Sequence, residues 1–168
     1  ETELLVEQAL VWLKNHTNQR RVADVGTGSG CIAISLAKNQ PDLRLFATDI
    51  SQTALDVARE NASRHGVVDR IEWKKTNLLD DYPDELDLVV ANLPYIPSAT
   101  LENLPVSIYE PRSALDGGPD GLRLIRELLR DARRWGAPGA AIFLEIEAGQ
   151  GESAPNLAHE LLPKAMIK

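Results

Sequence analysis

The sequence predicts an α/β fold, an open and mostly parallel sheet with helices on both faces. Three observations carry this. Short apolar runs alternate along the chain with segments whose apolar residues fall on one helical face, and a glycine-rich turn joins the first such run to the helix after it. The run Leu86, Leu88, Val89, Val90 is almost unbroken by polar residues, as expected of a strand covered on both sides.

The elements follow in order. Residues 4–13 place Leu5, Ala9, Trp12 and Leu13 on one helical face, and a polar connector, 15–20, comes next. A strand over 21–25 ends in glycines, and 31–37 carries Ile32, Ile34 and Leu36 in a buried helix. A second strand, 43–50, leads to a helix over 52–65, whose stripe is Leu55, Ala58 and Ala62. Ser51 is its expected N-cap and Gly66 its stop. Further strands are predicted at 71–76 and 86–91. Residues 92–120 change character, being rich in proline and containing the pair Gly117 and Gly118, so they are predicted to form a long loop. Helix returns over 121–135 with Leu122, Ile125, Leu128, Leu129 and Ala132 inward, followed by a strand at 140–147 and a helix at 148–162. Arg123, Arg126, Arg130, Arg133 and Arg134, interleaved with Glu127 and Asp131, read as a solvated face with short-range ion pairs.

Composition excludes several classes. At 168 residues and 18.5 kDa the chain is long enough for one domain with a substantial core. With 26% charged residues, it has no apolar run approaching the roughly 20 residues of a membrane span. The net charge of −7 opposes phosphate backbones, so nucleic acid is not the default partner. Cys31 is the single cysteine and His16, His65 and His159 lie far apart, so neither a disulfide framework nor a metal site is expected. The first residues do not resemble a signal peptide, and the chain reads as cytoplasmic.

Asp24, Val25, Gly26, Thr27, Gly28, Ser29, Gly30 closes the first strand and opens a helix. Glycines permit a tight turn and close approach to the backbone, while free N–H groups at a helix start attract an anionic group. The spacing G-x-G-x-G by itself leaves NAD and a nucleoside ligand open. Asp49 stands at the end of the second strand, 19 residues past Gly30, where a carboxylate can accept from both hydroxyls of a ribose. Asp24 is placed to orient the loop or to meet a ligand ammonium. Sheets of this class bind ligands beyond the carboxyl ends of their strands, where strand order reverses.

A second motif, Asn92, Leu93, Pro94, Tyr95, follows the fourth strand. An amide or exocyclic amine nitrogen is a poor nucleophile because its lone pair is delocalised, so it must be held in line while that lone pair localises. The Asn92 side-chain oxygen and the Leu93 backbone carbonyl can each accept one N–H of a planar NH₂ group. Pro94 biases residue 93 away from helical geometry, and Tyr95 can cover the planar group with its ring.

The loop with Asp24 and Asp49 resembles the S-adenosyl-L-methionine (SAM) site of Rossmann-like methyltransferases. That resemblance implies a cofactor set of Asp24, Gly26, Thr27, Gly28, Ser29, Gly30, Asp49, Ile50, Asn77, Leu78 and Asn92, with Asn77 and Leu78 flanking the adenine. Asn77 stands where an acidic residue is usual, and its carbonyl oxygen can still accept from the adenine amino group. Asn92 to Tyr95 is similar to the Asn-Pro-Pro-Tyr motif of methyltransferases acting on planar nitrogens, with Leu93 for the first proline. The loop segment Tyr109, Glu110, Pro111, Arg112, Ser113, Ala114, Leu115, Asp116, Gly117, Gly118, Pro119, Asp120, Gly121, Leu122 resembles the Glu-Pro...Ala-Leu...Gly-Gly-x-Asp-Gly-Leu segment of the HemK/PrmC family. Glu1-Thr2-Glu3 is similar to the end of that family's Pro-x-x-Glu-Thr-Glu segment.

The resemblance implies a single SAM-dependent methyltransferase domain over 1–168, without the family's N-terminal helical domain and truncated at the C-terminal edge strands. It implies methyl transfer to the side-chain amide of the glutamine in the Gly-Gly-Gln motif of peptide chain release factors. Asn92, Leu93, Pro94 and Tyr95 are the expected catalytic residues and no metal is required. Glu110 is expected to organise its loop. An RNA or DNA amino-methyltransferase of the adenine N6 type shares the acceptor chemistry, and a non-catalytic nucleotide-binding module would need only the glycine loop. The tetrapeptide argues against the latter, and the charge and the 110–122 segment favour a protein substrate.

Overall fold

The computed structural model describes residues 2–80, 82, 84–102, 104–105 and 111–168. Tyr109 and Glu110 therefore lie outside the described residues. The chain divides into two compact units, Glu1–Asn92 with Arg134–Glu145, and Leu93–Arg133 with Ile146–Lys168.

The first unit holds the sheet. Its strands are β1 (Arg21–Val25), β2 (Arg44–Asp49), β3 (Ile71–Lys75), β4 (Leu86–Ala91) and β5 (Gly136–Leu144), in the order β3-β2-β1-β4-β5 with every pairing parallel. Strand order reverses between β1 and β4, the predicted place for a ligand. Three helices, α1 (Thr2–Asn15), α2 (Cys31–Asn39) and α3 (Gln52–Arg64), share one hydrophobic core with the sheet. Leu13, Leu36, Leu45, Leu88 and Val90 meet in it. Each such fully buried aliphatic side chain contributes on the order of 1.5–3 kcal/mol. The opposite sheet face, with Ala23, Val25, Val89 and Ala91, is equally buried, which explains the unbroken apolar run of β4. At the amino ends of β1 and β4, the Arg20 and Arg21 backbone N–H groups both donate to Asp87 Oδ2, at 3.0 and 2.9 Å. The Arg21 guanidinium adds two bonds to the same carboxylate, so the start of β1 is pinned against β4.

The α3 boundaries follow local chemistry as expected. Ala54 N donates to Ser51 Oγ at 3.2 Å, and the helix stops before Gly66, whose φ is +70°. The last strand differs from expectation, running from Gly136 rather than over 140–147. Gly-Ala-Pro-Gly-Ala carries no period-two signal, and pairing with β4, irregular between Leu86 and Leu88, makes it a strand.

Among the described residues of the 92–120 segment there are two short elements that periodicity cannot reveal. These are α4 (Ser98–Leu101) and a 3₁₀ turn at Arg112–Ala114. Helix α5 (Arg123–Trp135) begins two residues later than predicted, because Gly121 has φ +74° and Asp120 Oδ1 accepts from Leu122 N at 3.0 Å. Of the five apolar residues expected to face inward, Leu122 precedes α5 and the other four lie on it, all of them buried, and Arg123 and Arg126 pair with Glu127 and Asp120. The expected helix over 148–162 is split into a 3₁₀ turn at Ala148–Gln150 and α6 (Ser153–Leu161). A capping box between Glu147 and Gln150 closes the first turn on itself.

Candidate active site

The candidate cofactor residues all belong to the first unit and cluster at the carboxyl ends of β1 to β4. The loop after β1 is built on left-handed glycines, with φ of +71° at Gly26, +56° at Gly28 and +86° at Gly30. At Gly30 glycine is required twice over, since a Cβ would also meet Ala58 Cβ of α3 at 3.0 Å. At Gly28 no described residue comes within 4 Å of where a Cβ would stand, so the loop backbone there is approachable. Gly26 N and Thr27 N donate to Thr48 O, both at 2.9 Å, and Asn61 Nδ2 donates to Ser29 O at 3.0 Å. The loop is thus held from β2 and α3.

Asp24 is wholly buried. Its Oδ2 accepts from Thr27 Oγ at 2.6 Å and from Ala33 N at 3.0 Å. Gly30, at the N-cap of α2, has no side chain to offer, so a carboxylate from β1 serves the helix instead. Both bonds hold the loop and the start of α2, while Asp24 Oδ1 is buried without a partner among the described residues. Burial pushes the Asp24 carboxyl up to about 6 against the downward pull of its two donors, and Asp49 adds to the rise.

Asp49 ties β2 to the loop. Its Oδ2 accepts from Gly28 N at 3.0 Å and its Oδ1 from Ser51 N at 2.8 Å. Each oxygen retains a lone pair, so the carboxylate can still accept from a ligand hydroxyl. Ile50, next in sequence, is 61% exposed, an apolar side chain presented to solvent at a strand end. Asn77 Nδ2 donates to Asp80 Oδ2 at 3.2 Å, which engages the amide through its nitrogen and leaves the oxygen as the group for a further partner. Leu78 has φ +46°, a conformation costing a non-glycine residue roughly 1–2 kcal/mol.

Asn92 follows β4, the neighbour of β1. Its Nδ2 donates to Thr2 Oγ1 at 3.0 Å, and Thr2 Oγ1 donates to Glu145 Oε2 at 2.8 Å. Thr2 and Glu145 are functional candidates that sequence reasoning missed. Glu1-Thr2-Glu3 was legible only as a motif likeness, and nothing local marks Glu145.

Leu93, Pro94 and Tyr95 open the second unit. Leu93 is buried and Tyr95 half-buried. The backbone there is clamped by the glycine-rich segment. Ile96 N donates to Leu115 O and Gly117 N to Ile96 O, at 3.1 and 2.9 Å, and buried Gln150 donates from Nε2 to Tyr95 O at 3.1 Å. A Cβ on Gly121 would lie 2.2 Å from Tyr95 O, so only glycine allows this approach. Asp116 holds the turn by accepting from Ser98 Oγ, Gly118 N and Arg112 Nε, and these donors, the Ser98 hydroxyl first, lower its carboxyl to about 2.

No helix among the described residues is long and apolar enough to cross a membrane, and no group of three metal-binding side chains occurs among them. A shallow cleft lined by Asp42, Arg44, Asp69 and Arg70 lies at the amino ends of β2 and β3, away from the glycine loop.

A family model described as the methyltransferase small domain matches residues 2–104. The release factor glutamine methyltransferase of Moorella thermoacetica is 46% identical over 160 residues, covering 94% of this chain and 56% of the relative. That of Gloeobacter violaceus is 40% identical with the same coverage. The chain thus spans a little over half the length of these curated relatives. Among solved structures, ribosomal protein L11 methylase from Lactobacillus delbrueckii subsp. bulgaricus is similar with a TM-score of 0.67 at 26% identity, covering 95% of this chain and 65% of that chain.

Proposed function

The chain belongs to the methyltransferase small domain family, and from that premise we propose that it transfers a methyl group from SAM to the side-chain amide nitrogen of the glutamine in the Gly-Gly-Gln motif of peptide chain release factors. Residues 1–168 act as one catalytic domain working in the cytoplasm. The observation that carries this reading is the placement of Asn92 at the end of β4, beside the glycine loop of β1, with its amide bonded to the protein through nitrogen. The names of the relatives support the substrate, and the net charge of −7 favours a protein over a nucleic acid.

The residues present fit the cofactor. The backbone of Gly26, Thr27, Gly28, Ser29 and Gly30 is open over Gly28, Asp49 offers acceptors to ribose hydroxyls, and exposed Ile50 offers apolar surface to the base. Asn77 and Leu78 flank the adenine. Asp24 positions the loop and lends negative charge to an ammonium group nearby. When bound, the cofactor supplies an electrophilic methyl on a sulfonium centre.

The chain's own residues prepare the nucleophile. Asn92 Oδ1 accepts one N–H of the target amide, and the backbone carbonyl of Leu93, adjacent in sequence, accepts the other. Holding both N–H groups orients the nitrogen so that its lone pair leaves the amide π-system as the new bond forms. A backbone carbonyl is present whatever the side chain, so leucine serves as well as proline at 93. Pro94 keeps residue 93 extended and Tyr95 covers the planar group. The methylated nitrogen still carrying its extra proton is strongly acidic and loses it to water, so no side chain is assigned as base. Incubating the intact protein with methyl-labelled SAM, a release factor and ribosomal RNA tests the reading. Label is expected on the Gly-Gly-Gln glutamine, and label in RNA alone refutes it.

A further inference from the structure

Thr2, Asn92 and Glu145 meet across separations of 90 and 143 residues. The meeting is set by the sheet. Ala91 pairs with Leu144, and Glu145 N donates to Ala91 O at 3.1 Å, which brings residue 145 beside residue 92. Thr2, the first residue of α1, inserts its hydroxyl between the two side chains. All three residues are half-buried.

The chemistry of the three groups fixes the direction of the chain of bonds. A hydroxyl has one proton, and an ionised carboxylate can only accept. The Thr2 proton therefore goes to Glu145, and the Thr2 oxygen can only accept from Asn92. Asn92 must then present its NH₂ to Thr2, which turns Oδ1 the other way. An amide otherwise has two nearly isosteric orientations, differing by a flip that exchanges donor and acceptor. In the flipped orientation Asn92 would offer N–H to the N–H of its target.

We propose that Thr2 and Glu145 are positioning residues for methyl transfer. They form a carboxylate–hydroxyl relay that holds the Asn92 amide with its oxygen toward the target nitrogen. Neither residue touches substrate or cofactor in this scheme. The inference rests on the proposed function, in which Asn92 Oδ1 is one of the two acceptors.

Single-turnover methylation of a release factor by the intact protein, with SAM titration on the same preparations, tests it. Thr2→Val keeps the shape and removes both bonds, whereas Glu145→Gln keeps the shape and removes the acceptor-only terminus. Each is expected to slow methyl transfer about tenfold or more, by analogy with the roughly 10–100-fold loss when a hydrogen-bond partner that orients a metal-ligating side chain is removed. SAM affinity should stay within about twofold, since the glycine loop and Asp49 are untouched, and Thr2→Ser should restore most of the rate. In an Asn92→Ala background, Thr2→Val should add no further loss, because the relay then has nothing to orient. Wild-type rates for both Thr2→Val and Glu145→Gln, with Asn92→Ala slow, overturn the relay and leave the proposed function standing. An equal loss from Thr2→Val in the presence and absence of Asn92 overturns the relay as well. A normal rate in Asn92→Ala removes the role of Asn92 itself, and with it both proposals. Should Thr2→Val fail to fold, Glu145→Gln with its own Asn92→Ala cycle decides the matter.

Discussion

Replacing Asp24 with asparagine should change the pH dependence of stability by an amount the burial of that carboxyl sets. In the folded chain the group is wholly enclosed, and its pKa is pushed from 3.8 to about 6, chiefly by burial. Between those values the folded state keeps a proton that the unfolded state has released. Stability from this group is therefore fully present below pH 3.8 and is lost as pH rises through about 6. The difference between about 6 and 3.8, at about 1.4 kcal/mol per pH unit, comes to roughly 3 kcal/mol. About 0.5 kcal/mol is already lost at pH 4, leaving about 2–2.5 kcal/mol between pH 4 and pH 7. Asparagine does not titrate. It keeps one acceptor oxygen but brings an NH₂ that costs about 1–3 kcal/mol if unpaired, at every pH alike. The sign of the difference at one pH is thus not diagnostic, whereas its slope is. Urea unfolding followed by the fluorescence of the three tryptophans, at several pH values from 4 to 7, measures it. Asp24→Asn should gain about 2–2.5 kcal/mol on the wild type over that range. A difference that stays flat within about 0.5 kcal/mol would show that Asp24 ionises as readily folded as unfolded, and would refute the role of burial.

Three further outcomes follow from the same geometry. Asn92→Ala should bind SAM within a few-fold of wild type yet transfer methyl at least ~100-fold more slowly, and Leu93→Pro should remain active; single-turnover rates beside cofactor titrations check both. Asp49→Ala should weaken SAM by about 1.5–3 kcal/mol in calorimetry, and NAD should bind the wild type at least ~10-fold more weakly than SAM; equal affinities for the two cofactors would place the ligand preference elsewhere. Gly66→Ala and Gly121→Ala start from nearly the same φ, +70° and +74°, but only the second drives a Cβ against Tyr95 O, at 2.2 Å. Gly66→Ala should cost roughly 1–2 kcal/mol and Gly121→Ala at least 1–3 kcal/mol more, read from denaturant midpoints.

Much of the fold was determined by the sequence alone, because its causes are local. The β1 run into Gly26, Gly28 and Gly30, the Ser51 cap, the Gly66 stop and the apolar run of β4 each act within a few residues, and all were legible. So were Asp24, Asp49 and Asn92 as candidates, since a carboxylate or amide at a strand end is visible one residue at a time. What only the tertiary structure decided has a non-local cause. The strand status of Gly136 comes from its pairing with Leu86. The wholly buried setting of Asp24, and its service to the start of α2, come from the packing of β1 under that helix. The direction of the Asn92 amide is set by Thr2 and Glu145, 90 residues away and on a neighbouring strand end. Hydrogen bonds of that reach leave no periodic trace, because one threonine and one glutamate look alike on any surface until sheet register brings them together.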